Sequence, residues 1–89
     1  MPSSKNTIRL VVVTTADDID QEFNLNQPLR VVFNAALHQV GGQGNQDQFA
    51  LEYADDELSD LDRKIGDVAA QLGWVDGTQL ELVPKPVVV

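Results

Sequence analysis

The chain has 89 residues, no cysteine, and 6 basic against 14 acidic side chains, for a net charge of −8. That length is one domain with one core. The missing cysteines exclude disulfides and thiolate metal sites, and the acidic excess argues against nucleic acid and anionic membranes, both polyanions that need a basic patch. A hydrophobic share of 43% is ordinary for a folded domain. Met1–Asn6 is polar, and the apolar runs at Leu10–Val13 and Val87–Val89 are too short for a signal or a span. The default expectation is a soluble cytoplasmic protein.

Residues 7–14 alternate Ile8, Leu10 and Val12 with Arg9, Val11 and Val13. The pattern predicts a strand with one committed core face and a second face that is only partly polar. Asp17 and Asp18 supply a turn. Residues 19–25 place Ile19, Phe23 and Leu25 on one parity, with Asp20, Glu22 and Asn24 on the other, so a second strand forms a hairpin with the first. Asn26-Gln27-Pro28 reads as a helix entrance, with Asn26 or Gln27 at the cap and Pro28 in the first turn. Leu29, Val32, Phe33, Ala36, Leu37 and Val40 then share one helical face. Gly41-Gly42 ends that helix.

A polar loop, Gln43–Gln46, leads to a third strand over 48–53, in which Phe49, Leu51 and Tyr53 alternate with Gln48, Ala50 and Glu52. Asp55-Asp56-Glu57 reads as an acidic turn, and Leu58 and Leu61 as a short irregular edge segment. Residues 65–72 suit a brief helical turn with Ile65, Val68, Ala69 and Leu72 on one side, although Gly66 weakens it. Gly73 and Asp76-Gly77 mark turns. Residues 78–83 form a last strand with Leu80 and Leu82 inward, stopped by Pro84-Lys85-Pro86. The order strand, strand, long helix, strand, short helix, strand is an α+β plan. It requires the first and last strands to be parallel neighbours, with the long helix crossing one face.

On this order, on the helix Leu29–Val40 and on the stretch Asp67–Val83 with its Leu80-x-Leu82-Val83 ending, the chain resembles the ubiquitin-like β-grasp family. The resemblance implies a mixed sheet of four or five strands with one long helix across it. It implies a loose segment 1–6, a domain over 7–84 and an extended tail over 85–89. It further implies a modifier, or modifier-derived partner, of a bacterial activating and conjugating pathway, monomeric when free. Ubiquitin-type modifiers end in Gly-Gly; here Val88 and Val89 stand in those places and are stiff and bulky. Either the end is truncated or altered, or the partners accept a different terminus, or the chain is never conjugated. In the first two cases Lys85, Val87, Val88 and Val89 would enter an enzyme cleft.

Two surfaces are candidates for partner binding. Val11, Val13 and Val83 point away from the helix side and would form one apolar patch with Ala50 near its edge, flanked by Glu52 and Glu81. Basic-rimmed protein partners would suit it, while the simpler reading is that these β-branched residues serve strand propensity. The second is the acidic run Asp55, Asp56, Glu57, Asp60 and Asp62. It lacks the spacing and glycine of an EF-hand loop, but Phe49-x-Leu51-x-Tyr53-x-Asp55-Asp56-Glu57 resembles the acidic motif of PB1 domains, which pair front to back. The simpler reading is a solvated turn. Lys5, Arg9 and Arg30 do not cluster, so the basic counterpart would lie on the partner.

His38 lies just off the helix's apolar face without a nucleophile or carboxylate partner in sequence. Tyr53 and Trp74 read as core or half-buried aromatics, and Lys5, Lys64 and Lys85 as solubilising or as acceptors for chain building. No catalytic constellation, metal set or cofactor motif is present, so the chain is expected to be a binding protein and not an enzyme.

Overall fold

The β-branched and aliphatic alternation of Thr7–Val13 produces the first strand, β1, an interior strand of the sheet. In this computed structural model, which describes residues 6–42, 44 and 46–85, it is followed by β2 (Ile19–Asn24), α1 (Leu29–Val40) and a 3₁₀ turn at Gln46–Gln48. Then come β3 (Phe49–Tyr53), β4 (Asp56–Glu57), α2 (Ile65–Leu72) and β5 (Thr78–Pro84). Among the described residues the strands form one five-stranded sheet in the order β2-β1-β5-β3-β4. β1 and β5 are parallel, with Val12 opposite Leu80, and the remaining pairs are antiparallel. The mixed α+β plan and the contact between the first and last strands are therefore as the sequence requires.

Leu29, Val32, Phe33, Ala36 and Leu37 of α1 are buried. They form one core with Ile8, Leu10, Val12, Phe23, Leu51, Leu80 and Leu82 from the sheet and Ile65, Val68 and Ala69 from α2. Complete burial of each large aliphatic stabilises by about 1.5–3 kcal/mol. That places the core on one face of the sheet and leaves the other face for solvent or partners.

The helix starts differ from expectation. Neither Asn26 nor Gln27 caps α1: Pro28 is the N-cap (φ −74°, ψ 158°) and no side chain caps the helix. Instead Leu29 and Arg30 donate their N–H groups to the carbonyls of Arg63 and Leu61, both at 2.9 Å. The exchange runs both ways, because Ile65 and Gly66 of α2 donate to Gln27 (2.8 Å) and Leu25 (2.9 Å). Pro28 and Lys64, the two N-caps, form an isolated bridge. Each helix start is thus satisfied by the backbone that precedes the other, which removes the need for a local capping side chain. Gly66 belongs to this junction: a Cβ there would lie 3.1 Å from the Leu25 carbonyl oxygen.

The helix ends follow the sequence. Gly41 (φ 69°) closes α1, with Gly42 donating to Leu37 at 2.8 Å, and Gly73 (φ 74°) closes α2. The acidic turn is shorter than its sequence suggests. Only Ala54 and Asp55 make the turn, at φ 52° and 70°, whereas Asp56 and Glu57 pair with Tyr53 and Glu52 as β4. Leu58 continues the pairing with an N–H bond to Leu51 at 2.8 Å and, with Leu61, packs against the core. Pro84 is the last residue of β5, opposite Phe49 at the sheet's end, where a missing N–H is tolerated.

Candidate functional site

Strand register decides what the open face of the sheet presents. Val12 and Leu80 point into the core, so Val11 and Val13 project from the opposite side. Directly paired residues share a face, which lines up Asp20, Val11 and Gln79 in one row. The next row is Val13, Glu81, Glu52 and Glu57, and a third holds Val83 and Ala50. Val11, Val13 and Val83 are all half-buried. They do not form a continuous block: Val83 lies diagonal to Val13, with Glu81 between them along β5. Ala50 shares the face but is only 6% exposed, so it offers little of its own surface there.

The glutamates are the stronger feature of this face. Glu81 stands opposite Glu52, and Glu52 opposite Glu57, so three like charges cross three strands side by side. Such pairs destabilise a sheet. Asp55 joins them at the turn: carboxylate oxygens of Glu52, Asp55 and Glu81 all lie within 4.8 Å of one another. At that spacing each pair repels by about 1 kcal/mol in a water-like dielectric.

Arg9, which the sequence shows only as an isolated base, is a surface determinant. Its guanidinium meets Asp20 at 2.7 Å on the open face. Its backbone N–H donates to Asp76 at 2.9 Å, while its carbonyl accepts from Gly77 at 2.8 Å. A lone arginine among outward valines was the available signal. This cation is committed to its own chain, as is Arg30, which pairs with Asp62 at 2.7 Å.

The acidic run is divided among three elements. Asp55 lies in the hairpin turn, Asp56 and Glu57 on β4, and Asp60 and Asp62 in the following loop; all five are exposed. Asp60 accepts the Asp62 N–H at 3.2 Å, which shapes the loop. The run therefore offers several faces of the β4 edge and not a single ladder.

His38 is exposed on α1. Trp74 is 7% exposed and meets Tyr53 edge to face, ring centroids 5.4 Å apart. Lys64 and Lys85 are exposed, and Lys85 donates its N–H to Gln48 at 2.7 Å. Lys5, Val87, Val88 and Val89 lie outside the described residues. Among the described residues no helix is long and apolar enough to cross a membrane.

No protein family's sequence profile matches the chain, and no curated protein matches it. Solved structures do. Caldiarchaeum subterraneum ubiquitin superposes with a TM-score of 0.69 at 18% identity, covering 91% of this chain and 96% of its own. The ubiquitin-like domain of an Arabidopsis thaliana protein gives 0.67 at 15% identity, over 97% and 85%. An N-terminal ubiquitin-like domain of the 4931431F19Rik protein gives 0.65 at 21% identity, over 100% and 85%. At these identities the likeness is one of fold.

Proposed function

From the ubiquitin-like β-grasp fold that this chain adopts, we propose that the protein works by protein–protein recognition. The open sheet face is the docking surface, with Val11, Val13 and Val83 as the apolar contacts. The observation that carries this reading is the glutamate row Glu81–Glu52–Glu57 beside those valines. A partner that brings lysines or arginines to that row relieves repulsion already present in the free protein, while its apolar centre covers the valines. The net charge of −8 opposes self-association and favours a free monomer. We read the chain as cytoplasmic and as a binding protein, not an enzyme.

Within that class we propose a modifier, or modifier-derived partner, of a bacterial ubiquitin-like pathway, with the tail from Lys85 onward entering the activating enzyme. The alternative is a non-covalent adaptor, including acidic pairing through Asp55, Asp56, Glu57 and Asp60. Incubating the full chain with an activating enzyme of its own organism and ATP, followed by mass spectrometry, separates the two. A modifier gains AMP at its terminal carboxylate with loss of pyrophosphate, or an enzyme-bound thioester, whereas an adaptor gains neither. Val11→Asp abolishes partner capture if the sheet face docks. Charge reversal at Asp55 and Asp56 does so if the acidic run docks.

A further inference from the structure

A groove of about 300 Å³ opens between α2 and the β3–β4 hairpin. Its floor is apolar, made by Leu29, Tyr53, Leu58 and Val68. Leu72, at the end of α2, stands on its lip and is 39% exposed, one of two large hydrophobics so exposed among the described residues. The bank opposite α2 carries Asp56 and Asp60, with Glu57 at the edge shared with the open face, and against them the groove sets one cation, Arg63. Ala54 of the hairpin turn also lines it, at φ 52°. None of Val11, Val13 or Val83 borders the groove, which meets the open sheet face only at Glu57.

We propose that this groove is a second docking site, and that its occupant is a segment of another protein presenting a large aliphatic side chain flanked by lysine or arginine. The charge on the bank chooses the occupant. An apolar floor would accept any hydrophobic anchor, but Asp56 and Asp60, with Glu57 at the edge, outnumber the one guanidinium, so the groove disfavours acidic segments and favours basic ones. The same charge argument weighs against a second copy of this chain, whose net charge of −8 makes two copies repel. Leu72 supplies apolar area beside the anchor that water now covers, and binding removes it from solvent. The inference rests on the recognition reading only in that the occupant is a protein. It needs neither the valine face nor conjugation, and with both sites filled the chain bridges two partners.

The test uses the full chain labelled with ¹⁵N and a short amidated peptide with leucines at helical spacing and lysines elsewhere. A second peptide replaces the leucines by serine. The expected result is saturable binding of the leucine peptide, with amide shifts concentrated at Tyr53, Leu58 and Leu72. Leu72→Asp weakens it by about tenfold or more, Asp60→Lys weakens it as well, and Val11→Asp leaves it unchanged. Should Leu72→Asp fail to fold, Leu72→Ser and the serine peptide carry the same comparison. The proposal is overturned by absence of saturable binding or by equal binding of the serine peptide, which is mere polycation attraction. Shifts centred on Val11 and Val13 overturn it too, while leaving the sheet-face reading standing.

Discussion

Gly66 donates its backbone N–H to the carbonyl oxygen of Leu25 at 2.9 Å, and the same oxygen lies 3.1 Å from where a Cβ on residue 66 would fall. The hydrogen bond holds the carbonyl in place, so it cannot retreat cheaply from a side chain. Gly66→Ala therefore sets two effects against each other. Helix propensity favours alanine by about 1 kcal/mol, while forcing a methyl group into a closed contact costs about 1–3 kcal/mol. We expect a net loss of about 1 kcal/mol in urea unfolding. A gain would mean that the junction between the helix starts is loose.

The β3–β4 turn offers the opposite outcome. Ala54 and Asp55 both sit at positive φ, 52° and 70°, the conformation for which a two-residue hairpin turn selects Asn-Gly. An L residue such as alanine pays about 1–2 kcal/mol there. Ala54→Asn with Asp55→Gly should stabilise by about 1 kcal/mol, raising the melting temperature by about 4–8 °C. An unchanged melting temperature would show that the turn carries no strain.

Charge on the open face gives a prediction with a salt signature. Glu52 is flanked across both neighbouring strands by Glu81 and Glu57. Glu52→Lys turns two repulsive cross-strand pairs into attractive ones, each worth about 0.2–1 kcal/mol. The variant should melt higher than the parent at low ionic strength, and the difference should shrink as salt shortens the Debye length to about 8 Å. It should also lose affinity for basic partners of the sheet face. Higher stability and weaker binding together would identify the glutamates as retained for recognition.

Gly77 and Arg9 form a steric and conformational pair. Gly77 has φ 91°, and a Cβ on it would approach the Arg9 guanidinium to 3.2 Å. Gly77→Ala should cost about 1–2 kcal/mol for the backbone alone. The arginine tip is flexible and its pair with Asp20 is half exposed, so Arg9→Ala should cost no more than about 1 kcal/mol. A double-mutant cycle measured by denaturation should show coupling below about 0.5 kcal/mol. Larger coupling would make the arginine a packing element of the turn.

The sequence displayed periodicity clearly and contact poorly. The alternation in 7–13 and 78–83 and the helical stripe from Leu29 to Val40 exposed both faces of the sheet, so the outward direction of Val11, Val13 and Val83 was legible. The cap of α1 is not legible locally: side-chain chemistry points to Asn26 or Gln27, whereas the acceptors come from Leu61 and Arg63 across the chain. Ala50 shows the same limit: parity reports a face but not how much of a small side chain its neighbours leave exposed. The run Asp55–Glu57 is polar throughout and gave no sign of where a turn ended and a strand began. The glutamate row was invisible until register set Glu81, Glu52 and Glu57 abreast.

Because the backbone ahead of each helix supplies the acceptors for the other, neither helix can fray from its beginning without stranding amides of its counterpart. Hydrogen exchange at Leu29, Arg30, Ile65 and Gly66 should then report one shared opening event, with similar protection at all four. A ligand that stiffens α2 would slow exchange at the start of α1 as well, although it never touches those amides.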